Sequence, residues 1–190
     1  MFEEELSSVV EGLCSAMKEL IDKAGKDVET DQATRAEVLF FAVYLMSEND
    51  TVDWDELEKI EEAVGYSVDR SQWDKAKKIF RVDSEENYLS QPPETIDLMM
   101  QADNLLYDIG LNLECVDSTM LGYKSIGEII VNHKGLYDEK RDRRLKKFVS
   151  MVEKYQYEHT TNPEYRKPLS NVEKEPVIPS KKGVAAPKKS

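Results

Sequence analysis

The sequence predicts an all-α protein, a compact bundle of about seven helices followed by a flexible C-terminal tail, and three observations carry that reading. Apolar residues recur three and four apart through most of the chain. No segment alternates apolar and polar residues between hairpin turns. Gly25, Gly65, Gly110 and the Pro92-Pro93 pair fall where helical patterns stop or start. With 40% apolar and 34% charged residues over 190 positions, the chain suits one soluble, highly charged domain with a sizeable core rather than a disordered one.

Taken in order, Phe2, Leu6, Val9, Val10, Leu13, Met17, Leu20 and Ile21 line one face of a helix over residues 2–23, and Gly25 stops it. The second helix, residues 34–47, carries LFFAVYLM, apolar nearly all round, and is therefore the central buried helix. Asp53, with Glu56 three residues on, starts a third helix in the manner of a capping box; Leu57, Ile60 and Val64 face inward and Gly65 ends it. Phe41, Leu45, Val52 and Ile60 are expected in one core. Asp69 opens a fourth helix with Trp73, Ala76, Ile79 and Phe80, and residues 82–91 read as a polar loop. A fifth begins at Pro92-Pro93, where proline is tolerated in a first turn, and carries Ile96, Met99, Met100, Leu105, Leu106 and Ile109. A sixth covers 116–131. A seventh, 138–157, carries Leu145, Phe148, Val149, Val152 and Tyr155.

Two regions follow: a helical domain over 1–159 and a flexible basic tail over 160–190. The tail holds five of the seven prolines and too little apolar surface to offset the entropy of ordering it. Tyr165, Leu169, Val172 and Ile178 nevertheless make part of it, residues 165–178, a candidate strap. From Pro163 onward seven basic residues face three acidic ones, so of the net charge of −12 the helical part carries about −16. Such a body repels nucleic-acid phosphates and anionic lipid, and favours cations or a basic protein partner. No apolar run approaches the roughly 20 residues of a membrane span. The acidic start, MFEEELSSVV, is unlike a signal peptide, and Cys14 and Cys115 read as buried reduced thiols, so a cytoplasmic setting is expected.

The chemistry-bearing stretch is the turn after the second helix. Asn49, Asp50, Asp53, Asp55 and Glu56 place five oxygen-bearing side chains within eight residues. One reading makes Asp50, Asp53, Asp55 and Glu56 ligands of a divalent cation such as Ca²⁺, which takes six to eight oxygens. The other makes Asp53 an N-cap and its neighbours first-turn acids favoured by the helix dipole. The spacing lacks the sixth-position glycine and twelfth-position glutamate of an EF-hand loop. A similar unit recurs at residues 130–140, where an apolar helix, a turn with Leu136, and Asp138-Glu139 precede a long charged helix. Val52 and Leu136 would be equivalent core plugs, and the two units read either as an internal duplication or as a chance likeness.

The segment Asn49-Asp50-Thr51-Val52-Asp53-Trp54-Asp55-Glu56 resembles the signature turn of the TerB-like (tellurite-resistance TerB) helical domains, where a helix ends in Asp-Gly-x-Ile/Val-Ser/Thr-x-x-Glu. Val52 and Glu56 stand in the plug and acidic positions. Asn49 replaces the leading Asp, Asp50 the Gly, and Asp53 the Ser/Thr cap. The resemblance spans about residues 34–157. It implies a compact bundle of about seven helices, acidic overall, in some members metal-binding, and linked to stress responses.

No zinc set surrounds His133 or His159, and no serine-hydrolase, phosphate-loop or dinucleotide fingerprint occurs. A Cys–His pair would need Cys115 to fold against His133. The chain is therefore expected not to be an enzyme. Trp54, Trp73 and Tyr137 either pack in the core or, for an exposed Trp54, mark a partner surface. The basic run 140–147, with Arg141, Arg143 and Arg144, is a solvated helix face, a partner for the acidic turn, or an anion-facing surface. The reading overall is a non-enzymatic, metal-responsive or interaction module of TerB-like type with a basic protein partner. The alternative is an acidic mimic of nucleic acid that inhibits a basic protein; a face of one sign favours it, and interleaved signs disfavour it.

Overall fold

A computed structural model describes residues 2–47 and 52–165. The helices are α1 (Phe2–Lys23), α2 (Asp31–Met46), α3 (Trp54–Val64), α4 (Trp73–Ile79), α5 (Glu85–Tyr88), α6 (Glu94–Asp108), α7 (Cys115–Val131) and α8 (Glu139–His159), with short 3-10 turns at Arg70–Gln72, His133–Gly135 and Pro163–Tyr165. No strand occurs among the described residues, and the protein is all-α.

The bundle is built around α2. Every residue over 36–46 is buried, and α1, α3, α6, α7 and α8 all pack on it. A helix apolar all round has no face to give to water, so the other helices must enclose it. Its three aromatic rings point to different neighbours. Phe40 stacks on Phe80 at 4.2 Å and on Trp73 at 5.7 Å. Phe41 meets Tyr123 and Phe148, and Tyr44 stacks on Tyr88 at 4.3 Å. Phe41, Leu45 and Ile60 lie in one core, as expected, with Val52 half-buried against it.

Two glycines inside α7 bring its neighbours close. A Cβ on Gly122 would lie 2.7 Å from Leu13 Cδ1 of α1, and one on Gly127 would lie 2.5 and 2.9 Å from the two Cδ atoms of Leu145 on α8. Glycine in a helix interior costs about 1 kcal/mol against alanine, and here close approach on two sides accounts for it.

The observed helices differ from the sequence reading in four places. The loop expected over 82–91 contains α5, whose cap Ser84 accepts from the Asn87 N–H and whose Tyr88 is buried. Its aromatic anchor against Tyr44 settles a turn too short to show helical periodicity. In α6 the core face is Ile96, Met99, Met100, Ala102 and Leu106, so Leu105 and Ile109, expected in the stripe, are 47% and 71% exposed. Leu136 is 74% exposed and is no plug, because the turn over 133–135 carries it outward. Ordered structure also continues past residue 159. Thr160 and Asn162 are buried, and Asn104 holds that strap by donating to the His159 carbonyl at 3.0 Å and accepting from the Thr161 N–H at 2.9 Å. The rest of the predicted tail, residues 166–190, lies outside the described residues.

Two substitutions test the packing by thermal or denaturant unfolding. Leu45→Ala should cost roughly 2–5 kcal/mol, as buried leucine truncations do. Gly127→Ala should destabilise by about 1–3 kcal/mol despite alanine's better helix propensity, because rotating Leu145 exchanges one clashing methyl for the other.

Candidate functional site

The sequence-predicted residues gather where α3 and α8 begin. Asp53 caps α3: its Oδ1 accepts from the Asp55 N–H at 3.0 Å and the Glu56 N–H at 3.3 Å. Asp138 caps α8 in the same way, accepting from the N–H groups of Lys140 at 2.9 Å and Arg141 at 3.1 Å. Glu56 and Arg141 occupy the same position, three residues past each cap. In a capping box Glu56 would fold back on its own cap residue. Instead it reaches across: Arg141 Nη1 donates to Oε1 at 2.6 Å and Nη2 to Oε2 at 2.9 Å. Glu56 is only 5% exposed, and the Arg141 fork also donates to the Ile130 carbonyl at 3.2 Å and sits 3.3 Å from Asp138. His133 completes the joint, with Nε2 3.8 Å from Glu56 and its ring edge-on to Phe2.

One turn further on, Arg144 Nη1 donates to carbonyls at the end of α2, those of Tyr44 and Leu45, and to that of Ser47 just past it, while the Tyr44 hydroxyl donates back to the Arg144 carbonyl at 3.1 Å. Helix carbonyls left over at a C-terminus need such a donor. The basic run is thus largely engaged within the fold. Lys146 pairs with Asp142 and Lys147 with Glu85; Arg143 is exposed.

Of the candidate cation ligands, Asp50 lies outside the described residues, Asp53 and Asp55 are exposed, and Glu56 is held by Arg141. Among the described residues no three His, Cys, Asp or Glu side chains are grouped to hold a metal ion. A cation competing for Glu56 would have to displace a bidentate guanidinium.

Trp54, at the start of α3, is 45% exposed. Its ring stands edge-on to Trp73 at 5.3 Å, and the Arg70 guanidinium lies 4.6 Å above it and 5.7 Å from Trp73. Arg70 is fixed by a two-pronged bond to Glu61 at 2.9 and 2.8 Å, and Glu61 also accepts from the Val68 N–H. The result is a rigid ledge of two indoles and a guanidinium. Beside it the outer side of α3 presents Asp55, Glu58 and Glu62, all exposed.

Sequence reasoning missed Glu37, the lone acid in the apolar run of α2. It is 8% exposed and accepts from the Glu94 N–H at 2.6 Å, the Thr95 N–H at 3.1 Å and the Thr95 hydroxyl. Burial pushes its carboxyl above the ordinary glutamate range, against the pull of those donors. A signal existed: the cap position of α6 is Pro93, whose side chain has no acceptor, so the first N–H groups of that helix need one from elsewhere.

The thiols of Cys14 and Cys115 are buried, and burial pushes each up to about 12. Cys115 and His133 stand at opposite ends of the 17-residue α7, roughly 25 Å apart at 1.5 Å per residue, so they form no nucleophile pair.

Removing one partner of the buried pair by Glu56→Ala should cost roughly 3–5 kcal/mol, whereas Glu56→Leu with Arg141→Met should recover most of it, measured by denaturant unfolding. Glu37 gives a pH signature. Its raised folded pKa means that the folded state holds the proton more tightly than the unfolded chain does. Its contribution to stability is therefore full below the ordinary glutamate pKa and is lost as pH rises through the folded value. Glu37→Gln should flatten that part of the stability–pH curve, with wild type and variant converging on the acid side.

No family model, no curated protein and no solved structure matches this chain.

Proposed function

We propose that this chain is a non-enzymatic interaction module of TerB-like, stress-response type, whose contact surface is the exposed Trp54 and Arg70 backed by the buried Trp73, and whose partner is a basic protein. The single observation that carries the reading is the half-exposed Trp54, held rigid by Arg70 and Glu61 rather than folded into the core. Large aromatic groups presented in a fixed orientation lose little conformational freedom on binding and dominate interface energetics. The acidic rim of Asp55, Glu58 and Glu62 would steer a partner's lysines and arginines toward the open indole face, where a cation–π contact contributes about 0.5–1 kcal/mol at exposed sites. The TerB-like part rests on Val52, Asp53 and Glu56, which act here as core contact, helix cap and joint between two helix starts. The metal-responsive form of the reading would use Asp50, Asp53 and Asp55, with Glu56 engaged by Arg141.

The nucleic-acid mimic is the weaker reading, because both charge signs share the exposed surface. Asp74 lies beside Lys75 and Lys78 on α4, and Glu139 beside Lys140 and Arg143 on α8. A phosphate-like row needs one sign.

The test is fluorescence anisotropy of a dye-labelled octa-arginine peptide. Saturable, salt-sensitive binding is expected, weakened at least tenfold by Trp54→Ala in a variant with unchanged helical circular dichroism. Equal binding by wild type and Trp54→Ala would overturn the assignment of the ledge.

A further inference from the structure

Between α2, the end of α4, the start of α6 and α8 lies a cleft of about 540 Å³, lined by Phe80, Ile79, Pro92, Pro93, Tyr155 and Arg81 among others. Its walls are apolar and polar in similar measure, and Ile79 is 63% exposed among the described residues.

Arg81 is the unusual member. The ends of α1, α3 and α6 close by the same pair of backbone bonds, with a left-handed residue one or two positions past the helix end, and in each case that residue is glycine: Gly25, Gly65 and Gly110. The end of α4 closes identically, the Arg81 N–H donating to the Lys78 carbonyl at 3.2 Å and the Val82 N–H to that of Lys77 at 2.9 Å. Here the left-handed residue is Arg81, at φ 59°. A residue with a Cβ is strained there where glycine is not. Strain kept at one of four equivalent helix ends marks a side chain with a use.

Arg81 lines the cleft. Nη2 donates to the Pro92 carbonyl at 3.2 Å, while the buried Nη1 has no acceptor among the described residues. Nearby acceptors are already engaged: Glu37 by Glu94 and Thr95, and Asp97 by Tyr155 and by Gln101 at 2.8 Å. Buried donors without partners are rare in folded proteins, and a ligand oxygen is one way to complete them.

We propose that this cleft binds an amphipathic small molecule through a carbonyl oxygen that accepts from Arg81 Nη1, with the ligand's apolar body lying on Ile79, Phe80 and the two prolines. The sign of the ligand follows from the lining. Glu37, Glu94 and Asp97 surround a single arginine, so a neutral or cationic ligand is accommodated and an anion is repelled. This site stands apart from the tryptophan ledge, and its ligand need not be a protein.

Three related phenyl probes separate the possibilities: phenylacetamide, neutral; phenylalaninamide, longer by one carbon and cationic; and phenylacetate, anionic. Binding is followed by NMR shifts of the Ile79 methyl and the Arg81 guanidinium in the full chain. The two amides should saturate those shifts, with phenylacetate at least tenfold weaker. Arg81→Gly should relieve the strained backbone, leaving the melting temperature equal or higher, yet weaken amide binding at least tenfold; Arg81→Gln should weaken it similarly. Failure of both amides to saturate the wild type, equal binding by the two variants, or tighter binding of phenylacetate would overturn the proposal.

Discussion

The joint between Glu56 and Arg141 decides how the acidic turn is to be understood. Two charges removed from water carry a desolvation cost that only good geometry recovers, and this pair has it: two parallel bonds, a carbonyl from Ile130, and a cap aspartate beside the arginine. Each partner sits three residues past a capping aspartate, so each helix start presents its side chain in a fixed direction. The two turns that look alike in sequence are thus brought face to face, and one supplies the acid, the other the base. The cluster that could have been a cation site is, at Glu56, the seat of a guanidinium.

The same end of the molecule seats α2. A helix enclosed over residues 36–46 cannot hydrate its C-terminal end, so the surrounding elements must supply donors there. Arg144 donates to carbonyls at the end of α2, and Tyr44 returns a bond to the α8 backbone. Part-way along α2, Glu37 serves the opening turn of α6, where Pro93 offers nothing. α2 is therefore tied to α8 and α6 by polar contacts that fix its rotation and depth, while Phe40, Phe41 and Tyr44 set the packing. That rigidity is what leaves α3 and α4 placed to hold Trp54, Arg70 and Trp73 as one ledge.

Much of this was legible from residue spacing. The long helices fell where apolar periodicity placed them, and Gly25, Gly65 and the Asp53 cap set their ends. The central place of α2 followed from its composition. The failures have two causes. A local pattern does not reveal a partner distant in sequence, as where Tyr88 meets Tyr44 and holds α5, and it does not fix the path of a turn, as where the turn over 133–135 carries Leu136 outward. Within the candidate site, Asp53 as a cap was readable. Glu56 was not, because the residue it holds lies 85 positions away. The basic run of α8 was open to several readings for the same reason; Arg141 and Arg144 acquire their roles only when α8 lies across the ends of α2 and α3.

Calorimetric titration of the full chain with Ca²⁺ at physiological salt addresses the central claim most directly. With Glu56 held by Arg141, heats should show only weak, millimolar, salt-screened association, and Glu56→Gln should not diminish it. A saturable site of micromolar or tighter affinity that disappears in Glu56→Gln would contradict the account, because it would mean that the glutamate leaves the arginine for a cation.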